Sequence, residues 1–461
     1  MNVDELTNWL DDNGVDRVRV DALSLDGMPV GKVIRASRFA EAATGGVGIT
    51  DFLMGIDREG EPALTFTAPW RSTVLGDLLL MPDLATLRID PAGRGLASCF
   101  ADVTDVDGTP IPVCGRSLVR SMTDRLAQHG LTASVAFEVE GQFFASSFDE
   151  LRRRGWTDLD PFGVGGHLVY LSQDHHRLDP IMHEICDRLE AAGVPWEAWN
   201  AEAAAGQFEL NVAPADPLAA ADHVIQIRRI AKEVAYERGM SVTFMARVTA
   251  DYGNGLHIHH SLRRDGEPVL HDPSGELGLS DVARRWISGL MATVAGSASV
   301  MAPTPNSFRR IEPFKASPTH ATWDVDNKST ALRVLSRSAN SARVEHRMGA
   351  GDAHPHFAIA TILAGGIAGL EHSIDLAPPF TRMAWGLPDT PDMPAELPRS
   401  APAAAEAMAA DPLLRSVLGD GFVDYWTESR RFEWLAFNTN GGDGAAPAPT
   451  PWELGRYFET I

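Results

Sequence analysis

The stretch "VAFEVEGQFF", Val135 to Phe144, sets two carboxylates, Glu138 and Glu140, inside an otherwise apolar segment. Successive side chains of a β-strand alternate faces, so residues two apart point the same way, roughly 6–7 Å apart. Two like charges on one face, framed by Val135, Phe137, Val139 and Phe143, repel each other and lose hydration. Such a strand is tolerable only where something neutralises that face.

Three other stretches repeat the pattern. "EAWNAEAAAGQFELNV" carries Glu202 and, seven residues later, Glu209, the second within an alternating strand. "GNGLHIHHSL" puts His257 and His259 on one strand face behind a glycine-bounded loop, and "ARVEHRMG" aligns Arg343, Glu345 and Arg347. Singly, each has an ordinary explanation: a half-exposed strand, a satisfied core histidine, a solvated ladder of ion pairs. Polar residues in the inward register of four strands together are harder to dismiss. A bound divalent cation removes the repulsion, because carboxylate oxygen and imidazole nitrogen are usual ligands of Mg²⁺ and Mn²⁺. Five carboxylates and a histidine suit two or three ions lining one cavity, with arginines to balance anionic substrates. Hard cations beside arginines are the equipment for handling ATP phosphates. No Walker A sequence or kinase-type glycine loop occurs, so a nucleotide is held another way.

The bulk numbers are those of an ordinary globular protein with a real core. The 461 residues allow two or three domains, and 44% hydrophobic with 22% charged residues is ordinary globular composition. A net charge of −22 argues against nucleic acid or an anionic membrane as partner. Three cysteines (Cys99, Cys114, Cys186) without a CxxC pair indicate neither a disulfide framework nor a zinc cluster. With neither a signal peptide nor a membrane-length apolar run, the expected location is the cytoplasm.

The acidic N-terminus reads as a short helix ending at Asn13–Gly14, followed by a β-hairpin turning at Asp26–Gly27. "PALTFTA", "LATLRI" and "ASCFADVTDVDGTPIPV" read as further strands, the last with a turn at Asp107–Gly108. Residues 1–110 thus form a small strand-rich domain, and residues 111–461 a larger one in which helices alternate with strands, an α+β architecture. The Pro- and Ala-rich segment from Leu376 to Ala410 reads as a surface excursion.

These residues carry a family resemblance. FEVE, Glu202 with GQFE209, GNGLHIHHSL, "NSFRRIEPF…WDVDNKSTALRV" and RVEHR stand in the order seen in glutamine synthetase and its relatives, the γ-glutamyl-amine ligases, and cover most of residues 15–375. The resemblance implies a small N-terminal β-grasp domain and a catalytic domain whose curved antiparallel sheet forms a funnel. It implies one metal held by Glu140, Glu202 and Glu209 to position glutamate, and a second held by Glu138, His257 and Glu345 to bind ATP phosphates. It places Arg310 and Arg347 on the glutamate carboxylate or the transferring phosphoryl group, Arg333 and Arg343 toward ATP, His259 and Ser261 in the nucleotide pocket, and Gly253 at glutamate. Catalytic roles fall to Arg310, Arg333 and Arg347. It also implies a homo-oligomeric double ring, a dodecamer, with small-molecule substrates.

Departures from the family pattern bear on the nitrogen donor. The flap glutamate that deprotonates ammonium in glutamine synthetases corresponds to Ala316 in "FKASPTHATW", and the usual Asp-Gly-Ser-Ser loop is replaced by "GITDFLMGID", where Asp51 is a loose counterpart. Losing a carboxylate removes both attraction for a cation and a general base, and alanine leaves room for a carbon chain. The expected activity is therefore that of a glutamate–amine ligase acting on a polyamine, ethanolamine or another primary amine. An ammonia-using glutamine synthetase is the alternative, and a non-catalytic scaffold or sensor a distant one. Lys328 replaces a family arginine and loses its planar fork. Tyr252 replaces an asparagine near the glutamate amino group, and Trp385 stands where bacterial enzymes carry the tyrosine that is adenylylated.

Overall fold

The computed structural model of the chain describes residues 1–61, 76–163, 169–385 and 393–461, so the expected strand "PALTFTA" lies outside the described residues. A first sheet is built from β1 (Arg17–Leu23), β2 (Pro29–Arg35), β3 (Val47–Thr50), β4 (Asp77–Pro82), β5 (Arg88–Ile89) and β6 (Leu96–Thr104). Its order is β2-β1-β6-β4-β3, with β5 also on β6; β1 and β6 run parallel and the other pairs antiparallel. The β1–β2 hairpin turns at Gly27, whose φ of 80° is a conformation open to glycine at no steric cost. "LATLRI" is not a strand throughout. The Asp83 carboxylate accepts the Ala85 amide and starts a 3-10 turn over Leu84–Thr86, leaving only β5 to pair.

The second sheet holds β7 (Thr132–Phe144), β8 (Trp196–Ala201), β9 (Gln207–Val212), β10 (Ser241–Thr243), β11 (Leu256–Arg264), β12 (Glu267–Pro268), β13 (Trp323–Val325), β14 (Leu332–Leu335) and β15 (Arg343–His346). Its order is β13-β14-β15-β11-β7-β9-β8, and every pair is antiparallel except β13–β14. The helix Pro217–Glu237 packs on β7, and the helix Pro355–Glu371, buried from Pro355 to Leu370, packs against that helix and several others. Its contact with the helix Asp281–Ala292 is backbone to backbone: a Cβ on Gly289 would lie 2.2 Å from the Gly365 carbonyl oxygen. Buried side chains of both sheets and the helices form one contiguous core from Leu6 to Ile461.

The alanine-rich end of the expected surface excursion is instead a helix, Ala401–Ala410, capped by Ser400, with Ala401, Ala404, Ala405 and Met408 buried. Alanine is the best helix former and small enough for close packing, here against the helix Val294–Met301. Among the described residues no helix is long and apolar enough to cross a membrane.

Candidate active site

Strand register alone assembles the site. Residues directly opposite each other in an antiparallel pair share a face, with Cβ atoms ~4.5–5.5 Å apart. On one side of β7, Glu140 stands opposite Glu209 and Glu138 opposite Asn211 of β9. On the other side Glu138 stands opposite His257 of β11. His259 lies opposite Glu345 of β15, and Glu345 opposite Arg333 of β14. Five strands, most of them far apart in sequence, thus meet on one face of one sheet.

Glu138 is the hub. His257 Nδ1 and His259 Nε2 donate to its two oxygens at 3.0 and 2.9 Å. The remaining ring nitrogens accept from arginines, His257 Nε2 from Arg310 at 3.3 Å and His259 Nδ1 from Arg343 at 3.2 Å, which fixes both tautomers. Buried Glu345 accepts from Arg333 at 2.9 Å and from Arg347. Glu140 Oε2 accepts the Gly255 amide at 2.7 Å and the Gln207 side chain at 3.2 Å. Glu202 accepts from Asn200 and Glu209 from Asn211.

The charge on this face is not balanced on the Glu202–Glu209 side. Burial, then the charges of Glu138, Glu140 and Glu202, push the Glu209 carboxyl up to about 9. Burial and the neighbouring Glu140 push Glu202 up to about 7. Burial would also raise Glu138 and Glu345, but the two imidazoles at Glu138 and the Arg347 guanidinium at Glu345 outweigh it and hold both below the usual range. Ligand atoms of Glu138, Glu209 and His257 all lie within 4.8 Å of one another, and so do those of Glu138, His259 and Glu345. This donor set, hard carboxylate oxygens and imidazoles, with burial and like charge opposing ionisation at Glu202 and Glu209, fits Mg²⁺ or Mn²⁺. His259 therefore stands as close to the acids as His257 does.

The loop before β11 and the segment around Ala316 close the site. A Cβ on Gly255 would come 2.7 Å from Arg310 Nη2, 3.0 Å from Glu140 Oε1 and 3.2 Å from His257 Nε2, so glycine is required there. Arg310 donates to Ser317 at 3.1 Å, and Arg347 reaches the Ala316 carbonyl at 3.5 Å. Gly253 offers its carbonyl to Gln207 at 3.0 Å. The Lys315 ammonium sits 4.6 Å from the centroid of the Tyr252 ring, joining flap to loop. A cavity of about 380 Å³ opens beside the cluster, lined in part by Glu138, His259, Ser261 and Arg343.

One expected participant stays apart. Asp51 is buried beside the first sheet, its amide on the Gly76 carbonyl, with no hydrogen bond or ion pair to the residues above. Lys328 is exposed and makes no ion pair among the described residues. Sequence reasoning passed over Gln207 and Asn211, although they alternate with Glu209 on the same strand face. It also passed over Tyr170, whose hydroxyl is raised by burial and by Glu209, Glu202 and Glu138, and over Glu197 and Asn340 in the cavity wall. No local pattern marks those three.

Comparison with known proteins gives the family. The description "Glutamine synthetase, catalytic domain" matches residues 112–457. A glutamate–isopropylamine ligase of Pseudomonas sp. is 28% identical over 462 residues, spanning 99% of this chain and 98% of its own. A γ-glutamylethanolamide synthetase of Streptomyces coelicolor is 30% identical over 466 residues, 100% of this chain and 96% of its own. A glutamine synthetase of Thermus thermophilus is 29% identical over 402 residues, 83% of this chain and 85% of its own. The solved GmaS/ADP complex superimposes with a TM-score of 0.83 at 26% identity, covering 98% of each chain. The chain belongs to the glutamine synthetase family.

Proposed function

We propose that this ATP-dependent carbon–nitrogen ligase joins the γ-carboxylate of glutamate to a primary amine through γ-glutamyl phosphate. The observation that carries the reading is the convergence of Glu138, Glu140, Glu209, Glu345 and two imidazoles on one sheet face, with Glu202 beside Glu140 and Glu209 just past the end of β8, and Arg310, Arg333, Arg343 and Arg347 around them. The relatives named for isopropylamine and for a γ-glutamylethanolamide support an amine as acceptor. So does Ala316, which brings no carboxylate to the flap.

In this reading Glu140, Glu202 and Glu209 hold one cation and Glu138, His257 and Glu345 a second, with His259 at hand for the second or a third. Bound there, Mg²⁺ or Mn²⁺ supplies charge neutralisation for a phosphoryl group in transfer. Arg333 and Arg343 orient the ATP phosphates from the cavity side, where His259 and Ser261 form the wall. Arg310 and Arg347 grip the glutamate carboxylate or the phosphoryl oxygens, and Gly253 meets the glutamate amino end. Arginine suits these places because its fork matches planar anions. An uncharged acyl carbon accepts nitrogen only with a better leaving group than oxide, which is why phosphorylation precedes amine attack. Asp51 and Ala316 are assigned to the amine pocket, Asp51 through a neighbouring copy of the chain in a ring assembly, since within one chain it stays away. Residues 1–110 form the small domain in this scheme and 111–461 the catalytic one.

Ammonia as the nitrogen donor is the second reading, favoured by relatives of similar identity named glutamine synthetases. Phosphate release with ATP and glutamate fixed, across ammonium, ethanolamine, isopropylamine and polyamines, separates the two. Turnover with at least one alkylamine well above ammonium is expected. Turnover with ammonium alone refutes the amine-ligase reading.

A further inference from the structure

Gln207 is 2% exposed, lies on β9 two residues before Glu209, and touches three parts of the site at once. Its Oε1 accepts the Ala204 amide at 2.9 Å, holding the turn that follows Glu202. That bond also fixes which end of the amide is the donor. Nε2 faces three acceptors: Glu140 Oε2 at 3.2 Å, the Gly253 carbonyl at 3.0 Å and Asn254 Oδ1 at 3.0 Å. Asn254 is itself fixed, donating its own Nδ2 to the Met245 carbonyl at 2.8 Å, so its Oδ1 can only accept. An amide nitrogen carries two hydrogens, and three acceptors cannot all be served at full strength. The group is buried, so no water makes up the difference cheaply.

We propose that Gln207 is a positioning residue that couples cation binding at Glu140 to acid-substrate binding at the Gly253 loop. With Glu140 engaged by a cation, the Gln207 hydrogens settle on Gly253 and Asn254 and hold the loop in the form that receives the substrate. With Glu140 unengaged, its oxygen competes for one of them and the loop is held less firmly. Linkage requires the converse, so the acid substrate tightens cation binding by the same factor. The inference rests on the proposed function, in that it takes Glu140 as a cation ligand and Gly253 as part of the glutamate site.

The test is calorimetric titration of Mn²⁺ into the full chain with and without saturating glutamate, for the wild type, Gln207→Met and Gln207→Glu. The Met variant removes both polar ends; the Glu variant keeps the acceptor for Ala204 but has no amide hydrogens. In the wild type glutamate is expected to tighten Mn²⁺ by about tenfold, a typical coupling. In both variants Mn²⁺ still binds, and the glutamate effect is at least about threefold smaller than in the wild type, the remainder being the direct contact between cation and acid substrate. A purely structural role would weaken each ligand separately and leave the ratio intact. A wild-type ratio in either folded variant, or no ratio in the wild type, overturns the proposal. Failure of both variants to fold overturns it too, since Gln207 would then be a folding residue. A wild type that binds no Mn²⁺ instead refutes the cation sites of the proposed function, and the amine panel reports on the acceptor independently.

Discussion

Glu138 accepts from two imidazoles whose far nitrogens are each occupied by an arginine, so a cation held by Glu138 and His257 would take the place of a ring N–H, and the ring would have to turn or exchange tautomer. Glu138→Gln, of nearly equal size, should keep the fold and lower turnover on the order of a hundredfold or more, read as phosphate release at saturating ATP. Glu209 makes a sharper test because its carboxyl is raised to about 9. A carboxyl that keeps its proton longer in the folded chain than in the unfolded one makes folding less favourable as pH climbs from its unfolded value toward 9. In EDTA, Glu209→Gln should therefore melt higher than the wild type at pH 8, with the advantage vanishing toward pH 5. In Mn²⁺ the order should reverse, and melting curves in the two buffers decide it. Alternation in FEVE and GQFELNV made Glu138, Glu140 and Glu209 legible in advance, because side-chain direction in a strand has a fixed period. That His259 shares Glu138 with His257 was not legible, since it depends on which residue of β7 faces which residue of β11.

At the scale of elements, the loop before β11 and the flap work as one unit. Gly255 lets Arg310, Glu140 and His257 approach within a space no side chain could share, two of them by less than 3.1 Å from a notional Cβ. Gly255→Ala is expected to cost at least about tenfold in turnover by displacing Arg310 or Glu140, with folded protein still recovered, checked by kinetics alongside circular dichroism. Phe314 and Ala316 both adopt positive φ, at 63° and 60°, a conformation costing a non-glycine residue about 1–2 kcal/mol. The stacked Lys315–Tyr252 pair and the arginine contacts to Ala316 and Ser317 hold that conformation in place. Ala316→Glu should raise turnover with ammonium relative to alkylamines, measured on the same amine panel, because it returns a carboxylate to the flap and fills the space beside it. Turn chemistry such as Asp26–Gly27 was readable from the sequence. The helix Ala401–Ala410 was not, because alanine and proline enrichment fits a linker as well as a close-packed helix.

For the molecule as a whole, the far end of the chain is pinned to the first sheet's neighbourhood by charge. Arg456, with no exposed side-chain surface, donates to both oxygens of Glu433 and to Asp57 and Glu59, each at 2.8 Å, and Tyr457 donates to Glu433 at 2.5 Å. Arg456→Met leaves buried Glu433 and Asp57 without their cation and should lower stability by about 3–5 kcal/mol, seen as a lower denaturant midpoint while the metal ligands remain intact. Composition and net charge bounded the class of protein, but such long-range pairs join residues ~400 positions apart and leave no local trace in the sequence.

The most direct measurement is anomalous diffraction from crystals of the whole chain grown with Mn²⁺ and a non-hydrolysable ATP analogue. Manganese peaks bounded by Glu140, Glu202 and Glu209 and by Glu138, His257 and Glu345 are the predicted result. Peaks confined to surface carboxylates, with none among these side chains, would contradict it.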